Sequence, residues 1–200
     1  MTLLGNWLLC LSLSFMLQHP ARARTKSLQH QYPHILSNML NAYDFMTSKY
    51  IYLYLSSMKY PNVSCIRAKT LKKDDSARTL TQEVDVRIEY NDVVDWWITN
   101  ASYTPIEKTD QGRVKTFSSI DGAGAATNYT FLLTTRYCAV VSKSKILSST
   151  ASYVSKELWV KNPSSAKGII PCYHQFMEVC NCNRHPAWYP TIQCERSEDQ

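Results

Sequence analysis

The histidines and carboxylates of this chain form no recognisable catalytic pattern. Beyond residue 23 the histidines are His30, His34, His174 and His185, and all four lie near the ends of the chain. Enzymes of the common hydrolytic types need a nucleophile, a base and a group that orients the base. The sequence contains no Gly-x-Ser-x-Gly, His-Glu-x-x-His or glycine-rich phosphate loop. We therefore predict a binding protein rather than an enzyme, and no cofactor.

Seven cysteines are many for a chain of this length, and they indicate either disulfides or a metal site. Cys10 lies in the apolar N-terminal segment, and four others crowd into the C-terminal region together with His174 and His185. Zinc sites usually have two to four residues between paired cysteines, which these spacings do not match. The even number that remains predicts disulfides and no metal. The six residues are Cys65, Cys138, Cys172, Cys180, Cys182 and Cys194.

The N-terminus has the features of a secretory signal peptide. The stretch from Leu3 to Leu17 is mostly apolar, and Ala21-Arg22-Ala23 follows it as an A-x-A cleavage sequence. A membrane anchor is the alternative, but the apolar run is shorter than the roughly 20 residues that span a bilayer. We predict a signal peptide at residues 1–23, a single domain at residues 24–200 and a secreted protein.

The composition is that of a folded domain with many aromatic residues. Of 200 residues, 44% are hydrophobic and 13 are tyrosine, which excludes the collagen-like and low-complexity classes. The net charge of +6 raises the question of nucleic acid or a glycosaminoglycan as partner. The basic residues are spread along the chain, and the densest run, Lys69–Lys73, is followed at once by Asp74 and Asp75. We interpret that run as a solvated loop and predict no nucleic-acid partner.

Hydrophobic periodicity predicts one helix, about eight strands and a second helix. The spacing of apolar residues predicts a helix over His34–Met46 and another over Pro171–Val179. Eight strands at this spacing are typical of an antiparallel barrel or sandwich. The predicted strands are Tyr50–Leu55, Val63–Leu71, Glu83–Tyr90, Val93–Ser102, Arg113–Ile120, Tyr129–Thr135, Tyr137–Ser142 and Tyr153–Val160.

A barrel of about eight strands has an interior that holds either side chains alone or one small ligand. Strand Glu83–Tyr90 alternates without a break, so one of its faces is apolar and the other carries Asp85, Arg87 and Glu89. An apolar interior favours an apolar ligand, the charged face would favour a polar cation, and a filled core would leave no ligand at all. The candidate apolar lining is Val84, Val86, Ile88, Tyr90, Trp96, Ile98, Phe131 and Leu133.

Three sequons predict N-glycosylation of a secreted chain: Asn62-Val-Ser, Asn100-Ala-Ser and Asn128-Tyr-Thr. All three asparagines lie near predicted strand ends. A glycan is bulky and soluble, so each occupied site must face solvent. The tail after Cys182 has no sequon but carries Trp188 and Tyr189, which are expected either to pack beneath the disulfides or to form an exposed interface.

Three stretches in this order resemble a known family. They are Ser64-Cys65-Ile66-Arg67-Ala68, Tyr137-Cys138-Ala139-Val140-Val141, and Glu157-Leu158-Trp159-Val160 followed by Cys172 and Cys180. The set is similar to the salivary lipocalins of ticks, the group that includes the histamine-binding proteins. The resemblance implies an eight-stranded antiparallel lipocalin-type barrel with a short N-terminal helix and a disulfide-stapled C-terminal helix. It also implies secretion into a host and action on the host's immune response.

Two departures from the family pattern bear on the ligand. Members that capture biogenic amines usually carry an acidic residue after the seventh-strand cysteine, where this chain has Ala139. Many also carry a cysteine where this chain has Lys156, which implies a different partner for Cys138. The pattern is more similar to the Japanin-like branch, which implies a hydrophobic ligand such as a sterol or fatty acid and a host immune-cell protein, on dendritic cells, as partner. A scavenger of histamine or serotonin, and a protein-binding module with a filled barrel, are the alternatives.

The cysteines allow one conditional prediction about connectivity. If all six pair, and Cys65 does not pair with Cys138, then both must reach into the C-terminal cluster. The two cysteines left over in that cluster must then pair with each other. Such a scheme would fasten the C-terminal helix to the barrel wall.

Overall fold

The structure is a computed structural model that describes residues 40–91, 93–109, 112–120, 124–146, 152–161, 166–182 and 185–195. The predicted signal peptide at residues 1–23 and the first part of the predicted N-terminal helix, residues 34–39, lie outside these ranges. Within them, no helix has the length and apolar character that crossing a bilayer requires.

Eight strands form a closed antiparallel barrel, which confirms the predicted fold class. Each strand pairs with the next along the chain, and the first strand closes the barrel by pairing with both the second and the eighth. The strands are β1 (Tyr50–Ser56), β2 (Val63–Asp74), β3 (Thr79–Tyr90), β4 (Val93–Lys108), β5 (Val114–Ile120), β6 (Ala126–Thr134), β7 (Cys138–Ile146) and β8 (Ser152–Val160).

Strands β2 to β4 are longer than the periodicity predicts. The run Lys69–Lys73, expected to be a solvated loop, belongs to β2 and pairs with β3. Its side chains from Leu71 to Lys73 are exposed, so its composition resembles that of a loop although its backbone is in a ladder. The correction is therefore one of conformation, because backbone hydrogen bonds hold the segment while its side chains face water.

A short helix, α1 (Ala42–Met46), closes one end of the barrel. The predicted start at His34 lies outside the described residues. Asn41 caps α1, because its side-chain oxygen accepts a hydrogen bond from the Tyr43 backbone N–H at 3.1 Å. Buried Phe45 and Met46 point into the barrel. The Tyr43 hydroxyl donates to Asp75 at the β2–β3 turn, which ties the helix to the wall.

The second helix, α2 (Ala166–Val179), begins five residues earlier than expected, so Pro171 lies inside it rather than at its first turn. The helix packs on the outside of the barrel, where Phe176 and Cys172 are fully buried against the outer faces of β7 and β8. Gly168 lies so close to the Tyr137 ring that an added Cβ would be 2.6 Å from it. These contacts hold one face of the helix against the barrel wall on both sides of Pro171, and the helix continues through the proline.

Three disulfides satisfy the conditional scheme. Cys65 of β2 bonds Cys194, Cys138 of β7 bonds Cys172 of α2, and Cys180 bonds Cys182. The first bond fastens the C-terminal tail to the wall, and the second fastens α2 to it. The predicted staple of the C-terminal helix is therefore present as Cys138–Cys172, and Cys65–Cys194 adds a second link, from the tail to the wall.

Trp188 and Tyr189 of the C-terminal tail have different surroundings, so each matches one of the two expectations. It adds a two-residue strand, β9 (Ala187–Trp188), to the edge of β1. Tyr189 is buried, and its hydroxyl accepts a hydrogen bond from the Tyr60 backbone N–H at 2.9 Å. Trp188 is 62% exposed. Packing is therefore the role of Tyr189, whereas Trp188 presents its side chain to solvent.

Candidate ligand cavity

The barrel encloses a cavity of about 550 Å³. Phe45 and Met46 of α1 form its floor, and its lining extends to Trp97 and Ile120, which are exposed at the opposite strand ends. Small-molecule sites in proteins measure roughly 300–1,000 Å³ and are predominantly apolar, so this cavity is of ordinary size for one ligand. The described residues therefore do not give a completely filled barrel.

Three of the eight predicted lining residues are on the cavity wall: Val84 and Val86 of β3, and Phe131 of β6. The apolar face of β3 therefore points inward. Ile88 and Tyr90 share that face by alternation but do not line the cavity, because β3 continues past it; Tyr90 is exposed at the strand end.

Trp96 and Ile98 lie on the outer face of β4, contrary to expectation. Tyr90 pairs with Val93, so the hairpin between β3 and β4 has two residues in its turn. In such a hairpin an even-numbered residue pairs with an odd-numbered one, and cross-strand partners share a face. Val86 therefore has Trp97 beside it on the cavity wall, and Trp96 falls on the opposite side.

Leu133 also lies outside the cavity, in the cluster beneath α2. The pairing of β6 with β7 shifts between Phe131 and Leu133, so one extra residue interrupts the alternation. Phe131 remains inside, opposite Val141, while Leu133 pairs with Val140 on the outer face. Strict alternation along the sequence could not predict this bulge.

The charged face of β3 points away from the cavity. Asp85 binds Arg67 with 2.7 Å between Oδ2 and Nε, and Arg87 binds Glu89. The Arg67 guanidinium also donates to the Cys194 carbonyl and lies over the Trp96 ring. The polar-cation alternative built on this face is therefore corrected, since these carboxylates face the outside and the tail.

One charged cluster does lie within the cavity wall, and we call it the Lys143–Glu157 centre. It consists of Lys143, Glu157, Tyr60 and Trp159. Lys143 Nζ is 3.5 Å from Glu157 Oε1, which also accepts a 2.6 Å hydrogen bond from the Tyr60 hydroxyl. The Trp159 indole N–H donates to Glu157 Oε2 at 2.9 Å. The side chain of Glu157 is 1% exposed and that of Lys143 is 19% exposed.

The electrostatics of this centre keep Lys143 charged. Burial on its own would lower the pKa of the Lys143 ammonium, but the negative charge of Glu157 raises it, and the net pKa lies above its usual value. Burial, followed by the charge of Glu157, also raises the pKa of the Tyr60 hydroxyl. The centre is therefore an ammonium paired with a carboxylate, beside a tyrosine that stays protonated at neutral pH.

Two further tyrosines extend the polar surface of the wall. Tyr103 and Tyr129 meet edge to face, with ring centroids 5.4 Å apart, and Lys143 Nζ lies 5.9 Å from the Tyr129 ring centroid. Burial raises the pKa of both hydroxyls. The cavity wall therefore combines apolar side chains with polar ones, which also include Gln82, Ser119, Thr127 and Lys145.

Sequence reasoning missed Lys143 and Glu157 although a usable signal exists. In β8 the residues Tyr153, Glu157 and Trp159 share the inner face by alternation, and Glu157 pairs with Val141, two residues from Lys143. The outer-face residues of β8 include Leu158 and Val160, which are apolar because α2 covers them. Hydrophobicity alone therefore does not identify the cavity face of this strand.

The cysteines and the sequons do not contribute to the cavity chemistry, apart from Asn100. The six cysteines are all in disulfides, and within the described ranges no three His, Cys, Asp or Glu side chains come together as metal ligands. Asn62 is exposed in the turn before β2. Asn100 is exposed in the middle of β4, not near a strand end as expected, and it borders the cavity. Asn128 is half-buried in β6, so a glycan there has less room than at the other two.

This architecture has known counterparts. Japanin from Rhipicephalus appendiculatus, solved with cholesterol bound, superposes on 74% of this chain and 96% of its own with a TM-score of 0.51 and 11% identity. The chain has the lipocalin fold. Another lipocalin, bovine odorant binding protein solved with undecanal, covers 70% of this chain and 84% of its own at 14% identity and a TM-score of 0.41. No family model and no curated protein matches the sequence.

Proposed function

We propose that this lipocalin is a secreted carrier that binds a small hydrophobic ligand, such as a sterol or a fatty acid, inside its barrel, and that it modulates a host's immune response. The observation that carries the ligand proposal is the 550 Å³ cavity with Val84, Val86 and Phe131 on its wall. Transfer of apolar surface from water into such a wall is favourable by about 25 cal/mol per Å². The cholesterol bound by Japanin supports the same ligand class.

Native mass spectrometry of the secreted protein, followed by lipid extraction, tests the proposal. We expect a bound lipid on the isolated protein and saturable binding of cholesterol by calorimetry. The variant Ala68→Phe fills the cavity at a buried wall position and should weaken binding by more than about tenfold. Ala77→Phe, at an exposed position in the β2–β3 turn, is the matched control. A protein that isolates empty and binds no lipid contradicts the proposal.

An amine scavenger is the alternative, and the state of Glu157 argues against it. An ammonium ligand in a buried site needs a carboxylate to offset its loss of hydration. Glu157 is already paired with Lys143 and accepts hydrogen bonds from Tyr60 and Trp159. We therefore expect weak histamine binding, and calorimetry that finds tight binding would favour the scavenger instead.

Secretion and the immune target are proposals of different origin. The A-x-A sequence at residues 21–23 and three disulfides support passage through an oxidising compartment. The immune role rests on the resemblance to tick lipocalins and is tested by exposing dendritic cells to the protein. Exposed Trp188 is the candidate contact, and Trp188→Ala should reduce cell binding without loss of stability. Unchanged cell binding would exclude Trp188 from the interface.

We also propose that the protein acts by binding and not by catalysis. Of the charged residues that line the cavity, Lys143 and Glu157 are engaged with each other, and Lys145 has an interaction of its own. The described histidines His174 and His185 lie on α2 and in the tail. A carrier returns its ligand unchanged, so extraction after incubation with cholesterol should recover cholesterol alone. Recovery of an altered sterol would contradict this.

A further inference from the structure

The Lys143–Glu157 centre places two opposite charges side by side on the cavity wall. Lys143 on β7 pairs with Ser155, and Glu157 on β8 pairs with Val141, so the two side chains are diagonal neighbours on the inner face. Their charges cancel, which lets both remain ionised away from bulk water. A ligand that reaches this wall therefore meets a centre that is polar but has no net charge.

Lys143 and Glu157 can each form one more hydrogen bond than the described contacts use. An ammonium has three donors, and the described contacts of Lys143 Nζ are with Glu157 and with the Tyr60 hydroxyl at 3.4 Å. One N–H can therefore serve an oxygen atom of a ligand. Glu157 Oε1 accepts from the Tyr60 and Ser155 hydroxyls, whereas the described bond to Oε2 is the one from Trp159, so Oε2 can accept a second.

A charged ligand would disturb this balance in either direction. A carboxylate approaching Lys143 also approaches Glu157, which lies only 3.5 Å from the ammonium, so Lys143 does not compensate its buried negative charge. Lys145, the other lysine on the cavity wall, lies two residues further along β7 and already has an interaction of its own. An ammonium approaching Glu157 meets Lys143 in the same way. A hydroxyl accepts from Lys143 and donates to Glu157 while it leaves the net charge at zero.

Given the proposed function, we infer that this centre makes the cavity selective for a neutral amphiphile, with an apolar body and one hydroxyl-type head group, over its carboxylate and ammonium counterparts. The apolar body lies among Val84, Val86 and Phe131, and the head group faces Lys143 and Glu157. Of the two ligand types proposed above, the sterol is favoured over the ionised fatty acid.

Decanol, decanoate and decylamine test the inference on the unmodified protein at neutral pH. The three have one chain length and differ in head-group charge. Binding is followed by calorimetry and by tryptophan fluorescence, since Trp97 and Trp159 line the cavity. We expect decanol to bind at least about tenfold more tightly than either charged probe, because only the charged probes must lose hydration without a partner. Equal or tighter binding of decanoate or decylamine overturns the inference.

Variants of the centre should switch the preference in opposite directions. Glu157→Gln leaves the Lys143 charge uncompensated and should make decanoate the preferred probe. Lys143→Met leaves Glu157 uncompensated and should make decylamine preferred. The double variant Lys143→Met with Glu157→Gln has no charge at the centre and should restore the preference for decanol. Thermal melts establish that each variant is folded before binding is measured.

The exposed pair Lys115–Glu107, with 2.9 Å between its charged atoms, provides matched controls. Lys115→Met and Glu107→Gln make the same charge changes on the exposed surface and should leave the order of the three probes unchanged. A switch caused by these controls would contradict the role of the centre. If a single centre variant does not fold, the unmodified protein and the double variant still decide the question. Binding of no probe and no cholesterol would instead refute the proposed function.

Discussion

Two buried ion pairs in this barrel have similar chemistry and opposite surroundings. Arg67 and Asp85 lie on the outer face of neighbouring strands, with side chains 6% and 2% exposed, and we call them the sealed pair. Lys143 and Glu157 lie on the inner face, on the cavity wall. The sealed pair is covered by the C-terminal tail, whose Cys194 carbonyl accepts a hydrogen bond from Arg67. The inner pair faces the cavity and is contacted by Tyr60 from the β1–β2 connection.

The two ion pairs differ in the groups that surround them, and we infer a different role for each pair from that difference. Arg67 lies between the rings of Tyr50 and Trp96 and is tied to the tail, so every group around it belongs to the protein. Lys143 also contacts aromatic rings, those of Tyr60 and Tyr129, but these line the cavity. We therefore expect the sealed pair to govern stability and the inner pair to govern ligand choice.

The largest effect is expected from breaking the sealed pair. Asp85→Asn removes the charge that compensates buried Arg67, and loss of one partner of a buried pair typically costs about 3–5 kcal/mol of unfolding free energy. Urea unfolding measures the loss. Affinity for cholesterol, measured on the folded fraction, should stay within about twofold of the unmodified protein. A stable variant with lost ligand binding would reverse the assignment of the two pairs.

Next in size is the loss of the disulfide that holds the cover over the sealed pair. Cys65→Ser with Cys194→Ser opens a link between residues 129 apart in sequence and should cost about 2–4 kcal/mol. The loss should be partly shared with that of Asp85→Asn, because both act on the same contact between Arg67 and the tail. Strictly additive losses in the combined variant would show that the tail does not support the sealed pair.

The fold was predictable because the predicted strands, and the order of the segments that carry the cysteines, correspond to the elements of the structure. The face of each strand was less predictable. For β4, the two-residue hairpin at Asn91 determines which face points inward, because it pairs Val86 with Trp97 and not with Trp96. The assignment failed because hydrophobicity does not distinguish two adjacent tryptophans, whereas pairing parity does.

The Lys143–Glu157 centre was missed for a different reason. A charged residue on a strand is ordinarily taken as solvent-facing, and Lys143 and Glu157 are buried only because β7 and β8 place them beside each other. The bulge that sends Leu133 outward has no signature in the local sequence either. Both depend on contacts between strands, which a single-strand pattern does not contain.

A smaller effect is expected for the Cys180–Cys182 bond, which touches neither ion pair. It closes a loop with a sequence separation of 2, so it restricts the unfolded chain least of the three bonds. Cys180→Ser with Cys182→Ser should cost less than about 2 kcal/mol and leave both cholesterol affinity and the sealed pair intact. A loss as large as that of the Cys65–Cys194 variant would show that this bond also supports the tail.

The smallest effect should appear at alkaline pH, at a tyrosine of the cavity wall. Burial, together with Tyr129, raises the pKa of Tyr103 in the folded protein above its unfolded value of about 10. The resulting stability is complete below pH 10 and is lost as the pH rises, because the unfolded chain then releases the proton first. The loss should be about 1 kcal/mol between pH 10 and 11.

Thermal melts of Tyr103→Phe across pH 9 to 11 measure this contribution. The variant should lose less stability over that range than the unmodified protein. Tyr90→Phe, which changes an exposed tyrosine outside the cavity, is the control and should follow the unmodified protein. An identical pH dependence for all three proteins would show that Tyr103 does not titrate differently on folding.

The backbone and the side chain of Met46 have separate roles. Its carbonyl accepts hydrogen bonds from the Gln82 side-chain amide at 2.7 Å and the Thr70 hydroxyl at 2.9 Å, which anchor α1 to the wall. Its side chain forms the floor beside Phe45. Any residue supplies that carbonyl, so the anchor does not depend on which side chain is present. Evolution or design can therefore change the depth of the cavity by replacing the Met46 side chain. The hydrogen bonds to the carbonyl would still hold α1 at the end of the barrel.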